Sequence, residues 1–342
     1  MTDRPRTQQT PPDESGDQDF FPLPLAVMQP GTTAPIDLYL REEEPRQRFV
    51  LYKRADTPLT DEVRQRLLDH GVEKLYVRNE DEDAFYAYVE EQINAIMKDD
   101  LMPVEQAMPI VYQTGTRIMK RVLEDPRSGE NIKRAAGIVE PVVDAVLKSE
   151  RPVADITSLI AHDYYTYTHC MNVCVLLVAA SKELLGVTKE STSRVIGLGA
   201  ILHDIGKSRI PEDILNKPGE LTTEEWHQIE KHPEWGLEIA RGYLNLADTA
   251  ARIIKNHHEH YDGSGYPEGL SGEKIHPVVR LSTVIDVYDA LTTKRSYADA
   301  VTPYEALKIM VEEMPRHFGL KELRGFIKFL GPRDDMRDAR SG

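Results

Sequence analysis

The stretch Asn256-His-His-Glu-His-Tyr-Asp-Gly-Ser-Gly-Tyr-Pro267 closes an apolar helical run, Ala250 to Ile254, and breaks at once into a glycine-rich loop. Adjacent side chains on a helix point about 100° apart, so His257 and His258 do not both face one metal, although they can reach two metals lying side by side. The competing reading is an exposed helix end with imidazoles near the negative end of the dipole. On this stretch alone the two readings stand level.

Working outward, the chain beyond Arg151 is a succession of apolar helical runs with short connectors and no strand alternation, which predicts an all-α half. Thr222-Thr-Glu-Glu225 and Thr302-Pro-Tyr-Glu305 mark helix starts as capping boxes. Ten of the eleven histidines lie at or after His162. Metal-capable side chains interrupt these apolar runs repeatedly: His169, His203 with Asp204, His232, His257 with His258, and Asp286. A lone histidine on an apolar face is usually a satisfied core residue. Five histidines and two aspartates spread over the helices of one domain are not explained that way, because buried polar rings and charges are costly unless paired or bound to metal.

The set is imidazole plus carboxylate, which suits Fe, Mn, Ni, Co or Zn and needs no thiolate. Asp204 is the natural bridge between two cations, and a bridging water acidified by both would be the nucleophile. Paired metals about 3.5–4 Å apart suit in-line attack on a phosphodiester. Lys207, one turn after His203, could neutralise charge developing on phosphate.

These residues and their neighbours are familiar. His203-Asp-Ile-Gly-Lys207, Ile210 to Thr222, His232, His257-His258-Glu259, Asp262-Gly-Ser-Gly-Tyr-Pro267, Asp286-Val-Tyr-Asp-Ala-Leu-Thr292 and Arg295-Ser-Tyr297 resemble the HD-GYP family, over about Thr157 to Leu330. The resemblance implies a helical HD-type domain that hydrolyses cyclic di-GMP to linear pGpG, with hydrolysis on to GMP an option. It makes His169, His203, Asp204, His232, His257, His258 and Asp286 the metal ligands, and Asp204 and Lys207 the catalytic pair. Arg295 becomes a phosphate contact, and Gly265, Tyr266 and Pro267 shape the signature loop beside the substrate. Some members carry a glutamate four residues before the first ligand histidine, helping to hold a third metal. Tyr165 stands there in this chain, so two divalent ions are expected, Fe or Mn ahead of Ni, Co or Zn. Ala298 stands where relatives often place a second basic residue. Two other readings stay open: a cyclic di-GMP sensor or diguanylate cyclase-docking protein with little turnover, and a phosphodiesterase for another cyclic dinucleotide such as cyclic GMP-AMP.

The other half is quieter. At 342 residues the chain has room for two domains, at roughly 150 residues each. Residues 1–19 are Pro-, Gln- and Asp-rich and read as a disordered tail. Residues 20–100 read as a small α/β regulatory module, with strands at Arg48–Lys53 and Lys74–Val77, a helix capped by Thr60, and an exit helix from Asp83 to Met97 with Asp83 as its cap. Residues 101–150 read as a helical linker with candidate homodimer contacts, and residues 151–335 as the HD-GYP domain. The fold class is thus mainly α. The net charge of −15 argues against DNA, RNA or an anionic membrane as partner, since no basic surplus replaces counterions. Cys170 and Cys174 share a helix face and read as buried thiols. With no signal core and no long apolar run, a cytoplasmic location is expected.

Overall fold

The computed structural model describes residues 19–42, 48–149, 166–293 and 300–331. The expected tail, apart from Asp19, falls outside them. The chain divides into two units, Met1–Ala107 and Met108–Gly342.

The first unit holds β1 (Phe20–Pro24), β2 (Leu38–Glu42), β3 (Arg48–Lys53), α1 (Asp61–Asp69), β4 (Lys74–Arg78) and α2 (Glu82–Ile96). The strands form an antiparallel sheet in the order β1-β4-β2-β3. The strands expected at β3 and β4 both form. β1 and β2 were not legible, and for β1 the reason is its sequence, Phe-Phe-Pro-Leu-Pro. Pro22 and Pro24 are tolerated because β1 is an edge strand, with β4 on one side only, so a missing N–H need not break the ladder. Thr60 caps α1 as expected, its hydroxyl accepting the Val63 N–H at 3.3 Å. Asp83 does not cap α2. The helix starts one residue earlier, after a 3₁₀ turn at Asn79–Asp81, and Asp83 lies in its first turn, where a carboxylate favours the positive end of the dipole. α2 buries Phe85, Tyr88, Val89, Ile93 and Ile96.

Helix α3 (Val104–Glu124) carries the chain into the second unit. There follow α4 (Gly129–Lys148), α5 (Thr166–Leu184), α6 (Glu190–Leu202), a 3₁₀ turn (Ile205–Arg209), α7 (Glu212–Leu215), α8 (Thr223–Ile229), α9 (His232–Tyr243), α10 (Asp248–Asn256), α11 (Pro277–Thr292), α12 (Pro303–Glu312) and α13 (Leu320–Leu330). No strand occurs among the described residues of this unit. Both capping boxes form, at Thr222 with Glu225 and at Thr302 with Glu305. α4 packs its Ile138, Val139, Val142, Val143 and Val146 face against α5 and α6, so its apolar stripe is used within this chain.

α5 is the centre of the unit. It is buried on every side from Thr168 to Ser181 and packs against α4, α6, α11 and α13. A helix apolar all round belongs in a core, and the polar residues it carries there need partners. Cys170 and Cys174 are fully buried free thiols on this helix. Burial pushes Cys170 well above the ordinary thiol range and Cys174 up to about 12. Both should therefore resist a maleimide reagent at neutral pH in the native protein and react only on unfolding. Stoichiometric labelling of the native chain would contradict this packing. No helix among the described residues is long and apolar enough to cross a membrane.

Candidate metal centre

The donor side chains come from the ends and middles of helices that meet around α5 and the 3₁₀ turn. Three of the histidines follow a helix end and use it in the same way. His203 Nδ1 lies 2.7 Å from the Ala200 carbonyl, His232 Nδ1 2.7 Å from that of Ile229, and His257 Nδ1 3.0 Å from that of Ile254. A helix leaves its last carbonyls without intrahelical partners, and these oxygens can only accept. Each therefore takes a proton from Nδ1, which fixes the tautomer and leaves Nε2 as a bare lone pair.

Those lone pairs converge. His232 and His257 Nε2 face each other at 3.2 Å, and His169 and His203 Nε2 also lie 3.2 Å apart. Asp204 stands between the two pairs and is fully buried. Its Oδ1 is 3.2 Å from His232 Nε2 and 3.7 Å from His257 Nε2, whereas its Oδ2 is 3.5 Å from His203 Nε2 and 3.6 Å from His169 Nε2. Oδ1 is buried without a hydrogen-bond partner. Asp286 joins from α11, with Oδ1 2.9 Å from His169 Nε2 and Oδ2 3.7 Å from His258 Nδ1. Two donor groups result, His169-His203-Asp204 and Asp204-His232-His257-His258, sharing Asp204.

Around His232 and His257 three electron-rich atoms thus meet with no proton to separate them. Only a cation satisfies such a cluster, and imidazole with carboxylate is the donor set of a divalent first-row ion. Electrostatics agree. Burial opposes ionisation of Asp204, but the Lys207 ammonium, 2.6 Å from Oδ2, holds its carboxyl well below the usual range. Burial brings His257 down to about 4 and His258 well below its ordinary value, which leaves both imidazoles in the neutral, ligating form.

The signature loop folds back over His258. The Tyr266 N–H donates to the His258 carbonyl at 3.2 Å, and the Tyr266 ring lies 4.8 Å from that of His258. Gly265 is required by this fold-back: a Cβ there would sit 2.3 Å from the His258 carbonyl oxygen and 2.3 Å from His260 N. The Tyr266–Pro267 peptide is cis. Glu259, buried directly after the histidine pair, pins the far side of the loop by accepting the N–H groups of Glu268 and Leu270, both at 2.8 Å.

The seven expected ligands and Lys207 are therefore brought together, with Gly265, Tyr266 and Pro267 beside them. Arg295, with Lys294 and Ala298, and Tyr165, with Tyr164 and His162, lie outside the described residues. His227, His276, His260 and His317 stand apart from the donor groups. His227 is exposed and paired with Glu230, His276 caps α11, and His260 stacks on His317 at 4.0 Å. Two residues of the site were not singled out by sequence. Glu259 is one. The other is Asp289, whose Oδ2 is 2.7 Å from His169 Nδ1 and so does for His169 what carbonyls do for the other three. Its signal was available, since it lies three residues after Asp286 and shares its helix face.

This is a helical domain built around an adjacent His-Asp pair, His203-Asp204, whose aspartate faces both donor groups. Residues 160–321 match the HD domain family model. The loop ending Gly265-Tyr266-Pro267 stands beside the donors, the arrangement that the resemblance to the HD-GYP family implies. The chain is 34% identical over 212 residues to the cyclic di-GMP phosphodiesterase PA4108 of Pseudomonas aeruginosa, covering 61% of this chain and 50% of that protein. It is 42% identical over 130 residues to the 3'3'-cGAMP-specific phosphodiesterase 2 of Vibrio cholerae, covering 38% of this chain and 25% of that protein. The chain thus spans about half the length, or less, of these curated relatives. Bd1817, an HDG"Y"P protein from Bdellovibrio bacteriovorus, shares the fold at a TM-score of 0.59 and 20% identity, over 91% of this chain and 99% of that one.

Proposed function

We propose that the second unit is a metal-dependent phosphodiesterase that opens cyclic di-GMP to linear pGpG. The observation that carries this reading is Asp204, a buried carboxylate whose two oxygens each face a pair of unprotonated imidazole nitrogens. Two divalent cations held by the seven donors, Fe or Mn in our reading, would supply an acidified water and absorb charge on the attacking and leaving oxygens. The chain's own residues do the rest. Asp204 sets the separation of the two donor groups by giving one oxygen to each. The backbone carbonyls and Asp289 hold the imidazoles in their ligating tautomer. Lys207 ties down Asp204 and places a positive charge at the rim of the donors, where a phosphate would sit. Trp226, exposed and 6.5 Å ring to ring from Tyr266, offers an aromatic face to a base. We assign Arg295 to phosphate contact, the first unit to regulation, and the protein to the cytoplasm.

The names of the relatives divide between cyclic di-GMP and 3'3'-cGAMP, so the test offers both. Protein purified anaerobically should yield pGpG from cyclic di-GMP faster than it opens 3'3'-cGAMP, with two metals per chain counted on the same sample. Nucleotide and metal bound without product, under reducing conditions with Fe or Mn, would overturn the reading in favour of a sensor. Lys207→Met separates the lysine from the ligands: kcat should fall roughly a hundredfold with metal content kept. An unchanged kcat would reduce Lys207 to a counter-ion for Asp204.

A further inference from the structure

His169 is the ligand whose Nδ1 is held by a side chain, and that side chain is itself held. Asp289 Oδ1 accepts from Asn172 Nδ2 at 2.9 Å, and Asn172 Oδ1 accepts from the Tyr112 hydroxyl at 2.5 Å. The Asp289 carbonyl also accepts from Thr293 Oγ1 at 2.7 Å. All four residues of the chain are buried: Tyr112 at 2% exposure, Asn172 and Asp289 at 0%, His169 at 1%.

The polarity of this chain is fixed by chemistry. Asp289 as a carboxylate only accepts, so the amide must present its NH₂ to it. The amide oxygen then faces Tyr112, and the phenol must donate. Every proton points toward Asp289, which locks the carboxylate plane and through it the His169 ring. Asn172 repeats the spacing seen at Asp289, three residues after a ligand on the same helix, so both polar pairs share a face. Tyr112 is on α3, the helix by which the chain passes from the first unit to the second.

We infer that Tyr112 and Asn172 are positioning residues for the His169-side metal site, so that α3 controls one of the two donor groups and not the other. In the second group the orientation of His232 and His257 comes from the Ile229 and Ile254 carbonyls, and none of its histidines belongs to the hydrogen-bonded chain. The inference rests on the metal-centre reading and extends it to an asymmetry between the sites.

The test is divalent-metal titration of the apo full chain with Mn²⁺, reading stoichiometry and stepwise affinity without reference to turnover. Tyr112→Phe keeps the ring and removes only the hydroxyl. One of the two binding steps should weaken about tenfold while the other holds, the size usual for losing an outer hydrogen bond to a ligand. Asn172→Ala breaks the chain in the middle and should give the same one-sided pattern. In a His169→Ala background Tyr112→Phe should add nothing, whereas in a His257→Ala background its effect should persist. Equal weakening of both steps, no weakening in a variant of wild-type secondary structure, or an undiminished effect without His169 would each overturn the inference. Failure of the underlying reading looks different, because the wild-type chain would then take up no Mn²⁺ at all.

Discussion

Asp204→Ala should leave the purified chain without either metal and reduce cyclic dinucleotide hydrolysis by on the order of a thousandfold or more. Both donor groups lose a member at once, and the oxygen that spaces one group from the other goes with it. Lys207, half-buried at the rim, loses a partner at 2.6 Å, which leaves its positive charge less compensated beside the place the cations would take. Losing the two-cation arrangement forfeits about 4 kcal/mol of barrier lowering or more, and each 1.4 kcal/mol is a factor of ten in rate. Asp204→Asn tests whether charge or shape matters, since it fills the same space without the anion. It should lose metal nearly as completely. The measurement is metal content by elemental analysis beside turnover on one preparation, with circular dichroism to establish folding. If folded Asp204→Ala kept both ions and its activity, the assignment of this site would be wrong.

Gly206→Ala should also be damaging, by a route that replaces no donor side chain. A Cβ at Gly206 would sit 1.9 Å from the His232 carbonyl oxygen, 2.6 Å from Gly236 N and 2.8 Å from His232 C. These are backbone atoms of the first turn of α9, so no side-chain rotation relieves the clash. The helix must back away, and His232 goes with it, away from His257 Nε2 and Asp204 Oδ1, each now 3.2 Å off. Overpacking of this kind costs about 1–3 kcal/mol or somewhat more. For a unit of this size that corresponds to a fall in Tm of roughly 5–10 °C. The ion on the His232 side should be lost while the His169 side retains affinity. Gly242→Ala is the control on the same helix, because a Cβ there meets nothing within 4 Å. It should be neutral or slightly stabilising. A Gly206→Ala protein with wild-type Tm and both metals would mean that α9 is free to shift without disturbing the donors.

The donor residues were legible because most of them break an apolar helical pattern with a group that cannot be buried unpartnered. Asp204 inside Ile-Leu-His-Asp-Ile and Asp286 inside Val-Ile-Asp-Val are conspicuous for that reason alone. The hands that hold the ligands were not legible. Ala200, Ile229 and Ile254 act through carbonyls, and every residue has one. Asp289 and Asn172 each lie three residues after a donor on the same helix, but their link to one another and to Tyr112 rests on distances between α3, α5 and α11 that no local spacing encodes. Glu259 was visible beside the histidines, but its part in pinning the loop depends on Glu268 and Leu270 N–H groups that only the folded loop presents. In the first unit, β1 and β2 were missed since strand formation there depends on pairing, of β1 with β4 and of β2 chiefly with β3, which no short segment reveals by itself.

The donors are drawn from five places along the chain, from His169 to Asp286, and this bears on the order in which the molecule assembles. The His169-His203-Asp204 group needs only the consecutive helices α5 and α6, and the Asp204-His232-His257-His258 group adds α9 and α10. The complete donor set must follow the closing of a loop more than a hundred residues long, from His169 to Asp286. Until then the lone pairs and carboxylates gathered around Asp204 repel one another, and the packing of α5, α6, α9, α10 and α11 has to hold them together unaided. A metal would join the last of these steps as a keystone, since a chain halted before α11 holds both donor groups but lacks Asp286, which reaches from His169 to His258.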